Sequence, residues 1–219
     1  MKKWFHWQFD NQCKSDDWNK WNTPIANLKD DLSWFFDEIK QGVASGETQA
    51  WFENVFHRAD WTRRTAAGSG LDPMELWDWC HEYPKLMDEA GILKINKFKD
   101  STRDKLIPIL SDKLNLKADT INFYCHNEAP GQIFPMHFDR NKWNKFSLDE
   151  DTSYDTNYGL FLIFFDDWKH GQAFQQGTAF LKWKSGDVFT WDHESTPHGS
   201  ANLGYEDRYT LLVNGVKKT

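Results

Sequence analysis

The chain has 219 residues, enough for one domain with a real core, and 26 basic against 33 acidic side chains give a net charge of −7. That balance disfavours duplex nucleic acid as a partner, because non-specific affinity for a phosphate backbone rests on a cationic surface. No run of 18 apolar residues is present, and the opening Met1-Lys2-Lys3-Trp4-Phe5-His6-Trp7-Gln8-Phe9-Asp10 is interrupted before a signal-peptide core forms, so a cytoplasmic protein without membrane attachment is expected. Three cysteines, Cys13, Cys80 and Cys125, fit reduced thiols. The aromatic content of 16%, with 13 Trp, opposes disorder.

In chain order, the first predicted element is an amphipathic helix: Ile25, Leu28, Leu32, Phe35, Phe36 and Ile39 recur at three- and four-residue steps, with Gly42 as a stop. A second helix is expected over residues 72–90, opened by Asp72 and Pro73 and divided at Pro84. A third begins near Ser101, with Leu106, Ile109, Leu110 and Leu114 apolar and Pro108 limiting its regularity. Nine tryptophans (Trp4, Trp7, Trp18, Trp21, Trp34, Trp51, Trp61, Trp77 and Trp79) lie in this front half, either packing helices onto a flat apolar face or lining an aromatic groove.

Beyond residue 116 the texture changes to short β-branched and aromatic runs: 120–126, 132–138, 158–166, 171–176, 178–183, 187–192, 197–202 and 207–214. Turn residues break them at Pro130-Gly131, Gly177, Ser185-Gly186 and Gly204. The long connection, residues 140–157, carries Asp149, Glu150, Asp151 and Asp155 and is a candidate substrate cover. The expected fold is α+β but mainly β. It is a single domain over 1–219, with a mostly helical support region at 1–115 and a β core at 116–219.

Chemistry concentrates in Pro135-Met136-His137-Phe138-Asp139, where a strand places His137 and Asp139 on one face. A second imidazole comes from His198, with His193 as the competing choice. Two His and one carboxylate on one face of a metal leave positions open opposite, an arrangement associated with non-haem Fe(II) oxygenases. Ten residues after His198, the alternation of Arg208-Tyr209-Thr210-Leu211-Leu212-Val213 puts Arg208, Thr210 and Leu212 on one face. An inward guanidinium needs an anion, and a bound carboxylate would satisfy it, with the Thr210 hydroxyl adding a hydrogen bond. The competing reading is a surface ion pair with Glu206 or Asp207. His126 shares parity with Tyr124 and Asn122 and is expected inside the barrel mouth.

Together, His137-x-Asp139, His198, Arg208 and Thr210 resemble the Fe(II)- and 2-oxoglutarate-dependent oxygenases, over about residues 116–216. The resemblance implies a double-stranded β-helix (a jelly-roll, cupin-like barrel), iron on His137, Asp139 and His198, and the far carboxylate of 2-oxoglutarate on Arg208. Asn122-Phe123-Tyr124 followed by Gly131 resembles a run seen in several branches, which implies cosubstrate roles for Tyr124 and Asn122. With O2, the implied reaction is hydroxylation of a C–H bond with release of succinate and CO2, on an amino-acid unit that is free or within a polypeptide. The alternative is a non-catalytic cupin-like protein that binds or senses a metal or ligand.

Overall fold

The structure is a computed structural model and describes residues 22–41, 51–53, 92–95, 98–137, 158–177, 179–191, 196 and 198–218. The expected helix at 72–90, the connection 140–157, Asp139, His193, Cys13 and Cys80 lie outside the described residues.

Eleven strands form two sheets among the described residues. They are β1 (Ala26–Asn27), β2 (Trp51–Glu53), β3 (Ile92–Ile95), β4 (Asn122–Glu128), β5 (Ile133–His137), β6 (Tyr158–Phe164), β7 (Gln172–Gln176), β8 (Ala179–Phe180), β9 (Asp187–Thr190), β10 (His198–Asn202) and β11 (Arg208–Val216). One sheet has the order β1-β9-β6-β11-β4-β3-β2 and the other β5-β10-β7-β8, with every pairing antiparallel. From β4 to β11 the chain places β4, β6, β9 and β11 in the first sheet and β5, β7, β8 and β10 in the second. Four strands in each of two facing antiparallel sheets make a double-stranded β-helix. The fold is therefore mainly β, and each of the eight strands falls on one of the eight runs read from the sequence.

Side-chain alternation on these strands divides the apolar residues into two cores. On β6, Phe161 and Ile163 join one cluster while Leu160, Leu162 and Phe164 join the other. β11 does the same, with Leu211 and Val213 on one side and Leu212 on the other. The inner cluster lies between the sheets around Phe164, which stacks on Trp183 at 3.9 Å between ring centroids and meets Phe174 and Phe189 edge-on.

The outer cluster is closed by two helices, α1 (Lys29–Lys40) and α2 (Asp100–Lys113). α1 presents Leu32, Phe35, Phe36 and Ile39, and α2 presents Leu106 and Leu110, to Phe123, Cys125, Phe161, Ile163, Phe165, Leu211 and Val213. The sheet's outward apolar residues are covered mainly by Leu and Phe. Trp34, the one front-half tryptophan whose side chain is described, is half-buried at the edge of this cluster, its ring capped by the Lys105 ammonium at 3.6 Å. α1 ends at Gln41, whose backbone N–H donates to Asp37 O at 3.0 Å. α2 runs through Pro108 without stopping.

The front half departs from the expected helical character in one respect. Three short strands lie there: β1 extends the first sheet beyond β9, and β3 and β2 extend it beyond β4. With two to four residues each, they are too short to show a period in the sequence. No helix among the described residues is long and apolar enough to cross a membrane.

Candidate functional site

The inner face is apolar over most of its length, but at one end it opens into a cavity of about 70 Å³. Its wall combines Leu162, Phe174, Trp191 and Leu212 with Tyr124, His126, Glu128, His198, Ser200, Arg208 and Thr210. The polar residues arrive by strand parity: Tyr124, His126 and Glu128 are alternate residues of β4, as are Arg208, Thr210 and Leu212 of β11, and His198 and Ser200 of β10. The ladder sets them opposite one another, with Arg208 paired to Glu128, Thr210 to His126 and Leu212 to Tyr124.

Arg208 is buried, 7% exposed, and so is Glu128 at 1%. Their side chains form an ion pair between Arg208 Nη2 and Glu128 Oε2. Arg208 Nη1 donates to Ala173 O at 2.8 Å, and the guanidinium lies 5.7 Å from the Trp183 ring centroid. Ser200 Oγ donates to the Glu128 carboxylate, at 3.0 and 3.3 Å to its two oxygens. Burial pushes the Arg208 pKa down to about 9, which still leaves it a cation at neutral pH. The anion that Arg208 meets within the chain is thus Glu128, neither of the surface acids Glu206 and Asp207. Arg208 Nε is buried without a hydrogen-bond partner, as is Trp191 Nε1 on the same cavity.

At the other side of the cavity stands His198, 5% exposed, with its ring 4.5 Å from Trp191 and 6.4 Å from Phe174 between centroids. His198 Nδ1 lies 3.2 Å from Thr196 O. A carbonyl only accepts, so Nδ1–H is the donor in this contact, which orients the ring. On the adjacent strand, His137 is the register partner of His198, just before a register shift between His198 and Ser200. No cluster of three His, Cys, Asp or Glu that could hold a metal occurs among the described residues, a set that omits Asp139.

The structure therefore brings His198, Arg208, Thr210, Tyr124 and His126 to one cavity, and His137 is the backbone register partner of His198 on the neighbouring strand. Asn122 does not join them: it is exposed at the far end of β4, opposite Asn214. Sequence reasoning misses Glu128 and Ser200. The alternation Asn122, Tyr124, His126 continues to Glu128 one step beyond the assigned end of that run, and a buried Arg208 calls for an acid at such a position.

No family model matches the chain, and no curated protein matches it either. Solved structures similar to it include a predicted oxalate decarboxylase from Thermotoga maritima, at 13% identity over 57% of this chain and 80% of that one, with a TM-score of 0.34. KdgF from Halomonas sp. is 11% identical over 58% and 81% of the two chains, also at a TM-score of 0.34. An RmlC-like cupin from Shewanella frigidimarina is 6% identical over 59% and 79%, with the same score. Scores this low bear on neither activity nor ligand. The strand order and pairing described above are what identify the chain as a double-stranded β-helix protein.

Proposed function

We propose that this protein is an Fe(II)- and 2-oxoglutarate-dependent oxygenase that hydroxylates a C–H bond of an amino-acid unit, free or within a polypeptide. The observation that carries the reading is the pairing of His137 with His198 at the edge of a cavity whose other wall holds buried Arg208 and Thr210. His137, Asp139 and His198 would hold the iron. His198 suits that task because Thr196 O fixes its Nδ1 proton and thereby its orientation. Arg208 and Thr210 would hold the far carboxylate of 2-oxoglutarate, and the unpartnered, buried Nε of Arg208 supports an acceptor there. When bound, the iron and its cosubstrate would supply the oxidation chemistry with O2, and succinate and CO2 would leave.

The chain's own part is orientation and exclusion. Leu162, Phe174, Trp191 and Leu212 make an apolar wall beside the polar residues, which lowers the local dielectric and strengthens each charge interaction with Arg208. Tyr124 presents its ring at the same wall, packed edge-on against His126 at 5.0 Å between centroids. Asn122, exposed at the other end of β4, takes no part.

The test is to incubate the full chain with Fe(II), 2-oxoglutarate and O2, and follow succinate release while screening amino acids, peptides and cell extract for a mass gain of one oxygen. Succinate release that is lost in His198→Ala and in Arg208→Lys is expected. Absence of any succinate under these conditions overturns the reading. It would favour a non-catalytic cupin-like binding protein, a role for which the internal neutralisation of Arg208 by Glu128 is the supporting observation.

A further inference from the structure

A carboxylate clamp built around an arginine is ordinarily open to its ligand, yet here a carboxylate of the same chain already sits on it. Glu128 is the direct cross-strand partner of Arg208, and both side chains are almost wholly buried at the end of the cavity. Arg208 Nη2 faces Glu128 and Nη1 donates to Ala173 O, while Nε is buried without a partner. Ser200 Oγ holds the Glu128 carboxylate from β10, so this acid is fixed by two strands in addition to its own.

We propose that Glu128 is the specificity-determining residue of this site: it competes with the ligand's distal carboxylate for Arg208, so that a dicarboxylate binds only as Glu128 gives up its charge. The proposal rests on the cosubstrate reading above and adds a proton to it. Two carboxylates cannot share one buried guanidinium while both are ionised, because the second has no counter-charge in a low-dielectric setting. Glu128 escapes that repulsion by taking up a proton from solvent. As a neutral acid it donates a hydrogen bond where it formerly accepted one, and Ser200 Oγ can receive it by rotating its own hydroxyl. A ligand without a distal carboxylate makes no such demand and leaves the Arg208–Glu128 pair intact.

The titratable or charged groups that face Glu128 among the described residues are Arg208 from β11, His126 from β4 itself and His198 from β10, with the Ser200 hydroxyl between. Both histidines titrate near neutrality in model peptides, so the experiment has to separate their protons from that of Glu128. A comparison of two ligands does so. 2-Oxoglutarate and 2-oxobutanoate share the 2-oxo acid end and differ in the distal carboxylate, so a proton that belongs to a histidine near the shared end appears with both.

The experiment is titration calorimetry on the full chain with Fe(II) under anaerobic conditions, in buffers of different ionisation enthalpy. The expected result is uptake of about one proton per 2-oxoglutarate bound, with affinity rising about tenfold for each unit that the pH falls. No uptake is expected with 2-oxobutanoate. In Glu128→Gln the uptake disappears and 2-oxoglutarate binds about tenfold tighter or more near pH 8. Binding by Glu128→Gln alone also supports the proposal, since it shows the acid excluding the ligand. 2-Oxoglutarate binding to the wild type without proton uptake overturns the proposal and leaves the oxygenase reading standing. Failure of both proteins to bind 2-oxoglutarate overturns the two together. Should Glu128→Gln not fold, the proton count on the wild-type protein decides the matter by itself.

Discussion

Arg208 and Glu128 show how a charge is kept inside an apolar barrel, since each is the other's only compensation of opposite sign among the described residues. Removing one leaves the other buried and unpaired, a loss of about 3–5 kcal/mol, whereas replacing both with apolar side chains of similar volume is often neutral. Arg208→Met alone should therefore destabilise the protein by that amount, and Arg208→Met combined with Glu128→Leu should recover most of it. Urea midpoints of the two single variants and the double variant test this, and strictly additive losses would contradict it. Cys125 presents the opposite case, a titratable group with no partner chemistry at all. It is fully buried beneath the helices, and burial raises its thiol well above the ordinary 9.0. The folded state thus keeps the proton to higher pH than the unfolded chain does. Its contribution to stability is complete below about pH 9 and is lost as pH rises through the folded pKa. Native protein should leave Cys125 unmodified by a thiol reagent at pH 8, as read by mass spectrometry of its peptide, and Cys125→Ala should lose less stability than wild type between about pH 8 and 10. Rapid native labelling of Cys125 would show the cover of α1 and α2 to be open.

Among the elements, the join between the β8–β9 turn and α1 shows why one glycine is needed. Gly186 has φ +84°, and a Cβ there would lie 2.3 Å from Lys29 N and 2.6 Å from Lys29 Cα at the start of α1. The same residue accepts from Leu28 N at 2.8 Å and donates to Phe164 O at 2.8 Å, tying the helix start to the sheet. Gly186→Ala therefore combines a disfavoured backbone angle, about 1–3 kcal/mol, with a backbone clash that no side-chain rotation relieves. A fall in unfolding free energy of at least that size is expected from urea denaturation, and a change within about 0.5 kcal/mol would contradict this account of the join. Turn residues of this kind are why the eight barrel strands are legible in the sequence: Gly131, Gly177 and Gly186, all at positive φ, punctuate the alternating runs. The three front-half strands are not legible, since Ala26–Asn27 and its like exist through pairing with a sheet edge and carry no period of their own. The shared face of His198, Arg208, Thr210 and Tyr124 on the cavity is readable because spacing and parity suffice to place them there. Glu128 is not, because the run is read as ending at His126, whereas the ladder with β11 continues two residues further to Glu128. The exposure of Asn122 is equally hidden, because parity assigns a face but not the depth along the barrel axis at which that face ends.

At the scale of the whole molecule, the barrel has one apolar surface too many. Its interior holds one core, around Phe164, and the back of the larger sheet holds another that belongs half to the barrel and half to α1 and α2. Phe36 stacks on Phe165 at 4.2 Å and Phe35 meets both Phe98 and Phe165, so α1 is joined to the end of β6 by aromatic contact. Stripping residues 1–115 would expose Phe123, Phe161, Ile163, Phe165, Leu211 and Val213 together, a contiguous patch of the kind soluble monomers avoid. At roughly 1.5–3 kcal/mol for each large apolar side chain returned to water, this loss is comparable to the whole stability of an ordinary domain. It would also remove β3 from the edge of β4, the strand that carries Tyr124, His126 and Glu128 to the cavity. We therefore expect the two halves to be one folding unit, with residues 116–219 expressed alone insoluble or lacking a cooperative unfolding transition. Solubility, a thermal scan and Fe(II) binding on that fragment make the test. A fragment that is soluble, melts in one transition and binds iron would show that the barrel stands alone, and that the helical region has some purpose other than covering its back.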